Sequence, residues 1–61
     1  MKPKSWREQE KLTLQAAAEK LGISAAYLSM IETGQRQPSF DLLKVFDRVS
    51  DGQVTQRDFY Q

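Results

Sequence analysis

Thr13-Leu14-Gln15-Ala16-Ala17-Ala18-Glu19-Lys20-Leu21-Gly22-Ile23-Ser24-Ala25-Ala26-Tyr27-Leu28-Ser29-Met30-Ile31-Glu32-Thr33-Gly34-Gln35-Arg36-Gln37-Pro38 is the stretch that decides the fold. It holds two helical patterns on either side of a short interruption, Leu21-Gly22-Ile23-Ser24. Thr13 is an N-cap by type, since its hydroxyl can accept a bond from an orphan backbone N–H. Leu14, Ala17, Ala18 and Leu21 then recur on one helical face, which predicts a helix over about Leu14 to Leu21. Gly22 follows at the place where a left-handed helix end carries least strain. Ser24 is the next N-cap. Leu28 and Ile31 form an inward stripe, while Ala25, Ala26, Tyr27, Ser29 and Met30 take the other directions. Thr33-Gly34 ends this helix, and Gly34 to Pro38 has the chemistry of a loop.

Working outward, the sequence predicts a first short helix from about Lys4 to Lys11. Ser39 caps a further helix, with Asp41 in the first turn, where the helix dipole favours an anion. Phe40, Leu43 and Phe46 give that helix a wide apolar stripe, flanked by Leu42 and Val49. Ser50-Asp51-Gly52 stops it. Thr55-Gln56-Arg57-Asp58 has the pattern of an N-cap followed by an acid at the third helical position, a variant capping box. A last single turn would carry Phe59 and Tyr60. No segment alternates with period two. The expected fold is therefore all-α, with four short helices, an optional short fifth turn at the C-terminal end and no sheet. Residues 1–61 are expected to form a single domain, with the central two-helix unit at about residues 14–33. The expected core is Trp6, Leu14, Ala17, Leu21, Ile23, Leu28, Ile31, Leu43 and Phe46. Ala18 and Gly22 serve packing and the turn. Val54, Phe59 and Tyr60 either fold back over the core or form an interface between subunits.

Composition bounds the function. A chain of 61 residues has one small core and buries only about 60% of its unfolded surface. It has no cysteine and no histidine, so no disulfide and no structural zinc site is expected, and no cofactor. Stability must come from helix packing or oligomerisation. The apolar runs are too short to span a bilayer. The start, Met1-Lys2-Pro3-Lys4-Ser5-Trp6-Arg7, lacks the apolar stretch of a signal peptide. A cytoplasmic protein without membrane contact is the expectation. Without His or Cys, with carboxylates at helix starts and on exposed faces, and without a glycine-rich phosphate loop, an enzyme is not expected. Nine basic residues stand against eight acidic ones, for a net charge of +1. This composition argues slightly against nucleic acid, so a case for DNA must come from arrangement.

The arrangement makes that case. Two short helices around a tight turn containing glycine, with the small residues Ala17 and Ala18 where the helices cross, form the helix-turn-helix pattern. In that pattern the second helix lies in the major groove of DNA. The run Leu12-Thr13, then Ala18-Glu19-Lys20-Leu21-Gly22-Ile23-Ser24, then Leu28-Ser29-Met30-Ile31-Glu32-Thr33-Gly34-Gln35-Arg36-Gln37-Pro38-Ser39 resembles the phage repressor and Cro family of regulators, the Xre family. The match extends from about Trp6 to Val49. The resemblance implies a lambda-repressor-like domain, bacterial or phage-encoded, acting on double-stranded DNA in the nucleoid. It further implies a buried ion pair between Arg7 and Glu32 that ties the first helix to the end of the third. It places Trp6 where relatives carry an aliphatic core residue. Ala25, Ala26 and Met30, with Ser29, take the positions that face base edges. Tyr27, Thr33, Gln35, Arg36 and Gln37 lie near the groove or the phosphates. Backbone N–H groups at the helix starts marked by Thr13 and Ser24 can hold phosphates, with Gln15 beside the first of them. Lys2, Lys4 and Lys11 are further cations.

The sequence also departs from the family pattern. Leu14 stands where a glutamine often touches a phosphate, and Lys11 where a glycine usually ends the first helix. Ala25, Ala26 and Met30 cannot make the bidentate bonds that read guanine or adenine. Readout must use thymine methyl groups, Tyr27, Ser29, loop residues, water or DNA shape. The expected function is sequence-specific regulation by a homodimer on a palindromic site, because one helix reads few base pairs. No small-molecule ligand is expected. The alternative is a protein-interaction module on the same fold, such as an antitoxin or adaptor, in which the apolar face would bury itself against a protein.

Overall fold

The computed structural model describes residues 1–59. In chain order it contains α1 (Pro3–Gln9), α2 (Leu14–Leu21), α3 (Ala25–Glu32), α4 (Phe40–Val49) and a final 3-10 turn (Gln56–Phe59). The described residues contain no strand. α2 and α3, joined by the short turn at Gly22, have the helix-turn-helix arrangement that the sequence leads one to expect.

Each helix start has a local cause. Pro3 opens α1, where its missing N–H leaves nothing unsatisfied. Thr13 Oγ1 accepts from the Ala16 amide at 3.0 Å, Ser24 Oγ from Tyr27 at 3.1 Å, and Ser39 Oγ from Leu42 at 3.2 Å. The helix ends share one device, in which a left-handed residue turns the chain and two amides fold back on the last turn. Gly22 does this after α2, its N–H reaching Glu19 O while that of Ile23 reaches Ala18 O. After α1 the same pair of bonds runs from Lys11 to Glu8 O and from Leu12 to Arg7 O, with Lys11 at φ 58°. This shortens α1 relative to the sequence expectation. Lys11 was expected inside the helix; it is the residue that leaves it.

The core is Trp6, Ala17, Ala18, Leu21, Leu28, Ile31, Leu42, Phe46 and Val54. α2 packs on both α3 and α4. Ala17 and Ala18 are buried to 0% and 1% exposure, so these small side chains let α2 approach both neighbours closely. Val54 is fully buried, and the Phe59 ring packs at 5.2 Å from that of Phe46. Both therefore fold back over the core. Tyr60, weighed with them in the sequence, lies outside the described residues.

Two core expectations need correction, and so does the apolar stripe expected for α4. Leu14 and Ile23 are only half-buried and pack on the rim of the core, because one opens α2 and the other sits in the turn. Phe40 is 64% exposed. It is the first residue of α4, and the 3.6-residue winding turns Leu42, Leu43 and Phe46 inward in its place. Its ring lies instead beside the Lys44 ammonium, 4.8 Å from the centroid.

Candidate nucleic-acid interface

The unit formed by α2, Gly22 and α3 governs what the surface displays. Leu28 and Ile31 anchor α3 to the core. Ala26, Ser29, Met30 and Thr33 follow one another at helical spacing on a different side. Ala26 and Thr33 are exposed, and Ser29 and Met30 are half-buried. Ala25 is half-buried and packs against the core cluster. Its methyl is thus partly committed to the interior, which Ala26 avoids.

The rim of this face has its own bonding. Thr33 Oγ1 donates to the carbonyls of Ser29 at 3.1 Å and Met30 at 3.3 Å, and accepts from Gln35 Nε2 at 3.1 Å. The hydroxyl and amide are thus engaged with the helix end. Tyr27 is half-buried against the core, and the Arg36 guanidinium lies over its ring at 5.9 Å from the centroid. This stacking holds a long, flexible cation beside α3. Thr13 and Ser24 use their hydroxyls as caps at the starts of α2 and α3, leaving the neighbouring helix-start amides to meet other acceptors. Gln15 and Gln37 are both exposed, and the buried Pro38 anchors the loop beside Gln37.

The Arg7–Glu32 pair is bidentate. Arg7 Nε donates to Glu32 Oε2 at 2.8 Å, Nη2 donates to Oε1 at 3.1 Å, and Nη1 donates to the Leu12 carbonyl at 3.2 Å. The side chains keep 16% and 6% of their exposure, so the pair is largely, not fully, withdrawn from water. Its hydrogen bond to Glu32 raises the Arg7 pKa further above an already high value, against the opposing effect of burial. One guanidinium thereby connects α1, the loop behind it and the last residue of α3, holding α3 at a set angle on the body.

The sequence did not predict a cleft of about 550 Å³ between the start of α1, the end of α3 and the 3-10 turn. Lys2, Lys4 and Arg36 line it together with Glu32 and Asp58. Both carboxylates already have partners: Arg7 for Glu32, and the Met1 ammonium, at 3.0 Å, for Asp58. Lys2 and Lys4 lie far from Arg36 along the sequence, and only the packing of α1 beside the end of α3 brings them together. Among the described residues there is no cluster of metal-ligating side chains, and no helix is long and apolar enough to cross a membrane.

A helix-turn-helix family model, of the Cro/C1 type, matches residues 4–49. No curated protein and no solved structure matches the chain.

Proposed function

We propose, from the premise that this chain belongs to the Cro/C1-type, Xre-like helix-turn-helix family of DNA-binding regulators, that it acts as a homodimer on a palindromic operator. The observation that carries this reading is the outward side of α3, which stands clear of the core while Leu28 and Ile31 hold the helix down. In the proposed complex α3 enters the major groove through Ala25, Ala26, Ser29 and Met30. The amides at the start of α2, beside Thr13 and Gln15, hold one phosphate, and those beside Ser24 hold another. Tyr27 and Arg36, with Thr33, Gln35 and Gln37, fasten the flanks. Such a regulator would work in the cytoplasm, on the chromosome.

Two-fold pairing follows from the small reading surface of one domain. A single helix contacts few base pairs, and a dimer doubles both the sequence read and the phosphates neutralised. The test is selection from random duplex DNA at two salt concentrations. Enrichment of a two-fold symmetric motif with half-sites about one helical turn apart is the expected result. An asymmetric motif would remove the dimer, and no motif at either salt would remove operator binding.

One observation favours a second reading. The outward face of α3 is largely apolar, as suits a protein partner, and Phe40 on α4 is a further exposed apolar side chain, at 64%. In that case the chain is an adaptor or antitoxin-like module, and DNA binding is absent even at low salt.

A further inference from the structure

The groups on the outer face of α3 define what it can recognise. Ala26 is exposed and Met30 half-exposed, one helical turn apart on the same side, with Ser29 beside them. None of these carries the amide, guanidinium or carboxylate that forms paired hydrogen bonds to a base edge. Two neighbouring groups that could, Gln35 and Arg36, are engaged beside the helix, and Gln37 belongs to the loop beyond it. The Gln35 amide donates to Thr33 Oγ1, and the Thr33 hydroxyl donates to the carbonyls of Ser29 and Met30. The Arg36 guanidinium lies over Tyr27. On this side α3 offers outward one alanine methyl, one flexible thioether and the Ser29 hydroxyl, with the half-buried Tyr27 under Arg36 at its flank.

In the major groove the apolar feature that such a surface can grip is the methyl group on C5 of a pyrimidine. We infer that α3 is a methyl-reading surface, in which Ala26 and Met30 pack on the C5-methyl of pyrimidines and Ser29 supplies the single hydrogen bond beside them. The unbranched Met30 side chain adapts its shape to a methyl whose position varies with DNA geometry. Thymine and 5-methylcytosine both carry this group. The inference rests on the DNA-binding reading above and names the chemistry of its ligand.

The substitution that tests it is made in the DNA, so folding of the protein is not at issue. Three random duplex pools are selected against the chain: ordinary DNA, DNA with uracil for thymine and 5-methylcytosine for cytosine, and methyl-free DNA with uracil and unmodified cytosine. Enrichment confined to the first pool supports the inference with thymine as the source of the methyl. Enrichment confined to the second supports it with 5-methylcytosine, and enrichment in both shows that either base serves. Removing the methyl groups from an enriched duplex should weaken binding about fourfold for each methyl contacted, and a change under about twofold overturns the inference. Met30→Ala or Ala26→Gly should narrow that ratio; a ratio unchanged in both variants overturns the assignment to this face. A motif enriched equally from the methyl-free pool also overturns it, while leaving operator binding intact. Failure of all three pools removes the DNA reading and this inference with it.

Discussion

Arg7 and Glu32 illustrate how one residue pair sets the pose of a helix. Removing one partner of a buried ion pair costs about 3–5 kcal/mol. Arg7 keeps 16% of its side-chain exposure, so water can partly solvate it when Glu32 is gone. Glu32→Ala should therefore destabilise the fold by about 2 kcal/mol, seen as a lower urea midpoint at unchanged slope. A change within about 0.5 kcal/mol would show that the pair does not hold α3 to α1. Because the folded-state pKa of Arg7 is raised, the stability linked to its ionisation is present through the neutral range and is lost only in strong alkali. Lys11 and Gly22 form a second comparison at this scale. Both are left-handed, at φ 58° and 75°, and a side chain in that conformation costs about 1–2 kcal/mol. Lys11→Gly should raise stability by about 0.5–1 kcal/mol, the relief of strain being offset in part by the freer unfolded chain. Gly22→Ala should lower it by about 1 kcal/mol. No atom lies within 4 Å of a Cβ built on Gly22, so this loss is conformational and not steric. Thermal midpoints that moved in the opposite directions would refute the shared helix-end device.

Among the elements, α4 and the segment after it depend on one hydroxyl. Ser50 is 1% exposed. Its Oγ donates to the Phe46 carbonyl at 2.6 Å and accepts from the Val54 amide at 2.9 Å. These bonds turn the chain at the end of α4 and deliver Val54 into the core. Ser50→Ala leaves the Val54 N–H buried without an acceptor, a penalty of about 1–3 kcal/mol. The expected result is a matching loss of stability together with faster hydrogen exchange at Val54. Exchange at that amide unchanged from wild type would show that another acceptor replaces Ser50. The unit of α2 and α3 depends less on side-chain bonding. It is held by the caps of Thr13 and Ser24, the left-handed Gly22 and the two alanines between the helices, all of which are local in the sequence.

At the scale of the molecule, the N-terminus meets the segment that ends in the 3-10 turn. The Met1 ammonium donates to Asp58 Oδ1 at 3.0 Å and to the Gln53 carbonyl at 2.9 Å. Burial works against ionisation of Asp58, but the Thr55 amide, the Met1 ammonium and the Thr55 hydroxyl outweigh it, so the pKa is lowered. An acid with a lowered folded-state pKa stabilises fully above its ordinary value, near 3.8 here, and the contribution fades as pH falls through the folded value. Asp58→Asn should therefore destabilise the chain at neutral pH and flatten the acid limb of its stability profile. An acid limb identical to that of wild type would show that Asp58 has no such coupling. The same scale governs DNA binding. Arg36→Ala should weaken binding about equally across sequences and reduce the salt slope by about one for each subunit, whereas Met30→Ala should alter base preference. If Arg36→Ala changed preference at an unchanged slope, its proposed contact would be with a base.

Much of this molecule was legible because its signals are short-range. A cap is a hydroxyl three residues from its donor, a helix face repeats every three or four residues, and a glycine at a helix end acts where it stands. Thr13, Gly22, Ser24 and Ser39 therefore marked the helix boundaries correctly, and the spacing of Leu21, Leu28, Ile31 and Phe46 marked the core. Helix propensity extends α1 to Lys11, because lysine is a good helix former, whereas the family pattern marks the same position as a helix end, and the positive φ of Lys11 agrees with the latter. Other features depend on which residues from distant parts of the chain become neighbours. Periodicity counted Phe40 in the apolar stripe of α4 and could not choose between core and interface for Val54; burial around the closed body decided both. Composition could not show that Lys2 and Lys4 share a cleft with Arg36, because that proximity exists only once the start of α1 lies beside the end of α3. The sequence by itself determined the helix-turn-helix and the apolar character of its outward helix, since both are written in neighbouring residues. Only the tertiary structure decided that Phe40 faces outward, that Val54 enters the core and that Lys2 and Lys4 share a cleft with Arg36, because such neighbours are settled by distances in space and not by positions along the chain.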